Sequence, residues 1–162
     1  MKEGLSSNNS NLPDQIKQII EPSEEDKILI KKFEDILNNT SNENIKLLVK
    51  AIIKFLSANI IIDTFENHQQ RREFIDSLDP QQVEFILNNR LRANIFSPIL
   101  ELIELNNMFL EDENFKKEFD ELFETAKNYR NFNIEEKLNF IERMKNFCVI
   151  IYKKIKEPTN LN

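Results

Sequence analysis

The chain contains a single glycine, Gly4, among its 162 residues. Folds rich in strands and loops need many positions with positive φ, which glycine occupies without a steric cost. Most of the five prolines lie at apparent helix boundaries or in the tails. This composition favours an all-α fold whose helices are joined by tight corners.

Residues 70–105 contain two helix starts of the same type. Asp79-Pro80 reads as an N-cap followed by proline at the first helical position, and Ser97-Pro98 repeats the pattern. An apolar run with helical spacing follows each start. The segment therefore predicts short helices, and no strand is needed to explain it.

Capping signatures predict the other helices. Ser23-x-x-Asp26 resembles a capping box, and Asn133-x-x-Glu136 is an N-cap signature for a last helix that runs to about Ile155. Asn38-Asn39-Thr40 should end the first helix. The remaining expected starts are Ser41, capping a long helix from Asn42 to about Ile62; Asp63-Thr64; and the acidic run Glu111-Asp112-Glu113.

The sequence thus predicts a single domain of about seven short helices without a sheet, at residues 23–157. We expect an irregular stack of antiparallel helices. Equal spacing of Phe33, Phe74 and Phe115 leaves a regular solenoid as an alternative. Residues 1–22 are expected to form a disordered or loosely attached tail, with one turn at residues 16–20, and residues 158–162 a C-terminal tail.

The most apolar predicted helix should lie at the centre of the core. We expect it to pack against the helices that follow Pro80 and Pro98. The residues predicted to meet are Leu48, Ile52, Phe55 and Leu56 on one side and Phe85, Ile86, Ile99, Leu102 and Ile103 on the other.

Charge and cysteine content restrict partners and compartment. A formal net charge of −6 disfavours non-specific binding to nucleic acid or anionic membranes, which depends on clustered cations. The only cysteine, Cys148, has apolar neighbours and is expected to be a buried, inert thiol. With no secretion signal visible after Met1, a cytoplasmic location is expected.

Residues that could carry chemistry are scarce. A single histidine, His68, rules out most catalytic dyads and most zinc sites, and one glycine cannot form a phosphate-binding loop. Glu101 and Glu104 have no Glu-x-x-His partner and read as a solvated face. We therefore predict no catalytic, metal-binding or cofactor-binding residues and no enzyme activity.

Three segments carry a resemblance to a known family. REFIDSLDPQQVEFIL at 72–87, FSPILELI at 96–103 and, more loosely, YRNFNI at 129–134 resemble the C-terminal domain of RNA polymerase II-associated protein 3. The first two match its helix stop, helix start and I-L-x-x-L ending, and the third its K-R-F-D-M corner. The resemblance covers about residues 65–155. The chain departs from the family in having no tryptophan on the first family helix.

The resemblance implies a non-enzymatic co-chaperone adaptor that docks on a RuvB-like AAA+ ATPase within a chaperone assembly complex. The family's apolar contacts to the ATPase match Phe132, Ile134 and Leu138 here, with Glu135, Glu136 and Lys137 as a polar rim. The alternative for Ile134 and Leu138 is that both face the core. The alternative functions are a stand-alone axonemal dynein assembly factor, a structural helical subunit, or a secreted helical effector.

Overall fold

The computed structural model describes residues 16–58, 60–63, 69, 72–73, 76–81 and 95–157. Within these residues the chain is mostly helical, with one short sheet. In chain order the elements are β1 (Ile16–Ile20), α1 (Glu24–Asn39), α2 (Glu43–Ser57), β2 (Ile60–Asp63), α3 (Ser97–Leu105), α4 (Glu113–Ala126), a 3-10 turn (Tyr129–Asn131) and α5 (Ile134–Lys156). The described residues thus hold five α-helices rather than about seven.

Two of the predicted helices lie largely outside the residues that the structure describes. The one expected after Asp63-Thr64 lies mostly outside the described residues, and so does most of the one expected after Asp79. At the helix start predicted for Asp79-Pro80, Pro80 and Gln81 are helical and Asp79 is not. This is expected for proline at a helix N-terminus.

A two-stranded antiparallel sheet corrects two of the sequence predictions. β1 pairs with β2 in a register that places Ile20 opposite Ile60 and Ile16 opposite Asp63, with an irregularity between Ile16 and Gln18. Residues 16–20 are therefore a strand and not a turn in a loose tail, and the expectation of no sheet was wrong. Isoleucine dominates both strands, and its β-branched side chain favours extended backbone.

A third correction concerns the end of α2. The helix was expected to reach Ile62, but it ends at Ser57, and the following Ala58 is extended. The next residues, Ile60–Asp63, pair with β1 instead. A continuous apolar run cannot distinguish these two outcomes, because helix and strand both accept it when they are buried.

The predicted caps of α1 and α5 are confirmed. The Ser23 hydroxyl accepts a hydrogen bond from the Asp26 N–H at 3.1 Å, and the Asp26 carboxylate accepts one from the Ser23 N–H at 3.0 Å. Asn133 and Glu136 exchange the same two bonds at 2.8 and 2.9 Å. Each reciprocal pair satisfies backbone donors that the first helical turn leaves open.

Two other starts differ by one residue from the sequence prediction. Asn42, not Ser41, caps α2 by accepting a hydrogen bond from the Ile45 N–H at 3.1 Å. In α3, Ser97 is already helical, and the capping residue is Phe96, which makes no side-chain cap bond. Phe96 is 1 % exposed, so burial of its ring holds the start of α3 in place of a polar cap.

The core lies between the helices. α1 packs against α2, α2 against α3, α3 against α4, and β2 against α5. The predicted core members of α2 are buried, Ile99 and Ile103 are buried, and Leu102 is half-buried; Phe85 and Ile86 lie outside the described residues. α5 supplies the largest share of the core, namely Phe140, Ile141, Met144, Phe147, Cys148, Ile151 and Ile155.

Among the described helices, none is both long enough and apolar enough to cross a membrane.

Candidate protein-binding surface

The corner before α5 is fixed by local hydrogen bonds. The Phe132 N–H donates to the Tyr129 carbonyl at 3.1 Å, which closes the 3-10 turn. Phe132 is then extended, and Asn133 caps α5 through its side chain. These bonds set the positions of Phe132 and Ile134 on either side of the cap.

A cluster of four aromatic rings packs this corner against the core. The Phe96 ring lies 5.0 Å from that of Tyr129 and 4.8 Å from that of Phe140. Phe132 completes the cluster, with its ring centroid 5.8 Å from Tyr129 and 6.4 Å from Phe140. Most of these contacts are edge-to-face, the arrangement that aromatic quadrupoles prefer. Phe96, Tyr129 and Phe140 are buried, whereas Phe132 is half-buried.

The three predicted binding residues lie together at this corner. Phe132, Ile134 and Leu138 are all half-buried and contact the core. Ile134 and Leu138 are one helical turn apart on α5, so their side chains share a face. Each therefore contributes to the core and also leaves part of its apolar surface open to solvent.

The predicted polar rim is only partly at the surface. Glu135 and Glu136 are exposed, and Glu136 is held by its cap bond to Asn133. Lys137 is half-buried, and its ammonium lies 5.7 Å from the centre of the Tyr129 ring. A cation at this distance from an aromatic face is attracted by the ring's quadrupole, so Lys137 supports the aromatic cluster as well as the rim.

A nearly buried ion pair connects α5 to the start of α1. Lys145 Nζ lies 2.7 Å from Asp26 Oδ2, and the two side chains are 14 % and 10 % exposed. Asp26 therefore has two roles, because its carboxylate also accepts the Ser23 N–H. Cys148 lies near this pair and is fully buried; burial, followed by the negative charge of Asp26, raises the pKa of its thiol. The predicted burial of Cys148 is confirmed, and a raised pKa disfavours the reactive thiolate form.

A second ion pair joins the start of α4 to the end of α5. Lys154 Nζ lies 2.6 Å from Asp112 Oδ2 and 3.2 Å from Glu157 Oε1. Asp112 also caps α4 by accepting from the N–H groups of Asn114 and Phe115. The Lys154 ammonium lowers the pKa of Asp112, and the Asp112 carboxylate raises the pKa of Lys154. The role of Lys154 is thus structural, since it joins the start of α4 to the end of α5.

A third cluster joins the sides of α4 and α5. Arg143 donates to Glu118 at 3.2 and 3.4 Å and to Glu121 at 2.8 Å. The hydrogen bond to Glu118 is the main cause of a raised pKa for Arg143. Like the other two clusters, this one includes an ion pair between different helical segments.

Among the described residues, no group of three or more His, Cys, Asp or Glu side chains could hold a metal ion. The histidine that the sequence analysis considered, His68, lies outside those residues. Within them, the titratable side chains form ion pairs, some between neighbours on one helix and others between helices.

Comparison of the chain with models of protein families, with curated proteins and with solved structures gave no match.

The sequence analysis did not predict the aromatic rings that pack against Phe132, nor the ion pair between Asp26 and Lys145. Phe96, Tyr129 and Phe140 come from three different elements, and no local pattern links them. A signal for the Asp26 contact was present, since Lys145 lies on α5 between buried Met144 and Cys148 at core spacing. A lysine at such a position requires a buried or half-buried carboxylate opposite it.

Proposed function

We propose that this chain is a non-enzymatic protein-interaction module, a co-chaperone adaptor that docks on a RuvB-like AAA+ ATPase in a chaperone assembly complex of the cytoplasm. The observation that carries the proposal is the position of Phe132, Ile134 and Leu138 at one hydrogen-bonded corner. Partner identity comes from the resemblance of residues 72–87, 96–103 and 129–134 to the family described above.

The corner has the features of a small binding hot spot. Its apolar side chains are partly open, and buried aromatic rings and a capping box hold their positions. Binding costs less conformational entropy when hydrogen bonds and packed rings hold the contact residues in place beforehand. Exposed Glu135 and Glu136 supply the polar edge that surrounds such anchors in interfaces.

A binding experiment with two matched variants tests this proposal. The double variant Ile134→Ala, Leu138→Ala shortens the two anchors on α5. The control, Val149→Ala with Ile150→Ala, shortens two exposed apolar residues on the same helix, which are 37 % and 38 % exposed. Affinity for a purified RuvB-like ATPase ring is measured by titration calorimetry, and folding by circular dichroism and melting temperature.

We expect the Ile134 and Leu138 variant to lose at least about tenfold in affinity, which corresponds to roughly 1.4 kcal/mol, while the control binds like the wild type. Because both residues also touch the core, the variant should melt at a lower temperature yet remain folded at the temperature of the titration. Absence of binding by the wild type contradicts the proposed partner. Unchanged binding by a folded double variant contradicts the proposed site.

The alternative functions differ in what the intact chain retains from a cell extract. Recovery of axonemal dynein chains without the ATPase would favour a dynein assembly factor. Recovery of neither would favour the structural subunit or the secreted effector, and secretion can then be measured directly with a tagged chain.

A further inference from the structure

Two neighbouring helices carry exposed surfaces of opposite charge. On α2, Lys46, Lys50 and Lys54 follow one another at four-residue spacing and form a row along the helix. Lys50 and Lys54 are exposed. Leu47 lies beside this row and is 50 % exposed. We call these four residues the basic row.

α3 carries the opposite charge. Its charged residues, Glu101 and Glu104, are both acidic and both exposed. Leu105 follows them and is 77 % exposed, the largest exposed fraction among the large apolar residues of the described chain. We call these three residues the acidic edge. Because α2 and α3 pack against each other, the basic row and the acidic edge lie on adjacent helices.

Of the charged residues on these two surfaces, Lys46 makes an ion pair within its own chain. Lys46 lies 3.4 Å from Glu43 on its own helix. In the described part of the chain, Lys50, Lys54, Glu101 and Glu104 make no ion pair. This contrasts with α4 and α5, where Lys154, Arg143 and their carboxylates are paired across helices.

We propose that two copies of this chain associate through these surfaces, with the basic row of each copy facing the acidic edge of the other. A second copy is the occupant that the surfaces specify, because one chain supplies both signs of charge and an exposed leucine on each side. A two-fold arrangement uses both contacts at once, and it is the commonest symmetry of soluble oligomers. Leu47 of each copy then packs against the acidic edge of the other copy. Leu105 of that edge is covered in the same contact.

The charges in this contact are exposed, so the proposed dimer is weak. Attraction between exposed charges is weak and is screened by salt. Leu47 and Leu105 of each copy add a modest apolar contribution. The dimer therefore forms at low ionic strength and high protein concentration and dissociates when salt is added.

Sedimentation equilibrium on the intact chain tests the proposal. The average mass of the wild type should rise with concentration in roughly 0.02 M salt and fall to the monomer value in about 0.5 M salt, where the Debye length is only a few Å. Two charge-reversal variants, Lys50→Glu with Lys54→Glu and Glu101→Lys with Glu104→Lys, should each be monomeric alone. An equimolar mixture of the two should dimerise, since each reversed surface then meets its complement.

A matched control and an uncharged variant complete the experiment. Lys117→Glu with Lys153→Glu makes the same change in net charge at exposed positions on α4 and α5 and should dimerise like the wild type. Leu105→Ser removes the most exposed apolar side chain without touching the core and should weaken dimerisation roughly tenfold. Melting curves verify that each variant is folded.

The proposal is overturned if the wild type stays monomeric at low salt, or if the control dissociates as readily as the Lys50 and Lys54 variant. It is equally overturned if the mixture of folded charge-reversal variants fails to restore the dimer. Dimerisation that is insensitive both to salt and to Leu105→Ser would place the contact elsewhere on the molecule.

Discussion

Lys145 on α5 donates to Asp26, the third residue of α1, across 2.7 Å. The two residues are far apart in the chain, and the contact holds the start of the first helix against the middle of the last. The same Asp26 carboxylate closes the capping box with Ser23. A single side chain thus couples a local helix start to the tertiary arrangement of α1 and α5.

Replacing only one partner of the Asp26–Lys145 pair should lower the free energy of unfolding. Lys145→Met keeps the length of the side chain and leaves Asp26 largely buried without its counter-charge, so we expect a loss of roughly 3 kcal/mol in the free energy of unfolding. Adding Asp26→Asn should recover much of that loss, because the amide carries no charge. Urea denaturation of the two single variants and the double variant measures the coupling.

An exposed pair on α4 provides the control for this experiment. Lys116 and Asp120 lie 2.8 Å apart, and both side chains are 53 % exposed. Lys116→Met should change the free energy of unfolding by less than about 1 kcal/mol. Strictly additive effects of the Asp26 and Lys145 substitutions would contradict the coupling.

Phe147 should be one of the most sensitive positions in the core. It is fully buried on α5, with its ring centroid 5.0 Å from that of Phe115 on α4. Phe147→Ala should lower the free energy of unfolding by roughly 3–5 kcal/mol, because both the buried ring and its contacts are lost and a cavity remains. Phe123→Ala is the comparison, since that ring is half-buried and should cost distinctly less. Equal losses in chemical denaturation would show that burial does not set the difference.

Asn107 occupies a left-handed backbone position in the turn after α3, with φ of 51°. Asparagine tolerates this region better than other residues with a Cβ atom, and glycine does so without cost. Asn107→Ala should therefore destabilise the protein by about 1 kcal/mol, whereas Asn107→Gly should be neutral or stabilising. Thermal and urea unfolding of the two variants tests the order; a more stable alanine variant would be incompatible with this turn.

The neighbouring Phe109 is also left-handed, with φ of 64°. Its ring packs edge-on against Phe115 at 5.4 Å. The contact with the core offsets the cost of the backbone conformation, so Phe109 should not gain stability from glycine as Asn107 does.

The charge of Asp112 should contribute stability only above acid pH. Its pKa is lowered from the ordinary value of 3.8, mainly by the hydrogen bond from Lys154. A lowered folded-state pKa means that the contribution is complete above the unfolded value and is lost as the pH falls through the folded one. Wild type should thus exceed Asp112→Asn in stability at neutral pH, and the difference should vanish well below pH 3.8.

Asn is the appropriate replacement because it keeps a capping oxygen for the N–H groups of Asn114 and Phe115. At the alkaline end, the pKa of Lys154 is raised above 10.5, so its contribution is complete below that value and is lost as the pH rises through the folded one. A stability difference between wild type and Asp112→Asn that persists unchanged into strong acid would refute the assignment of the ion pair.

The amino-acid sequence alone determined where several helices begin and end. The capping boxes at Ser23 and Asn133 and the end of α1 at Asn39 follow from bonds between residues at most four apart, and such bonds form wherever the right side chains occur. The apolar spacing of α2 likewise identified Leu48, Ile52 and Phe55 as core. These features depend on contacts within one or two turns of the chain.

The tertiary structure decided what lies far apart in sequence. The pairing of β1 with β2, the ion pair of Asp26 with Lys145 and the rings gathered beneath Phe132 each join separate segments. Residues 60–63 could extend a helix or form a strand on local preference alone, and pairing with residues 16–20 selects the strand. Such choices depend on the total free energy of packing, because each segment's partner is fixed only when the whole chain has folded.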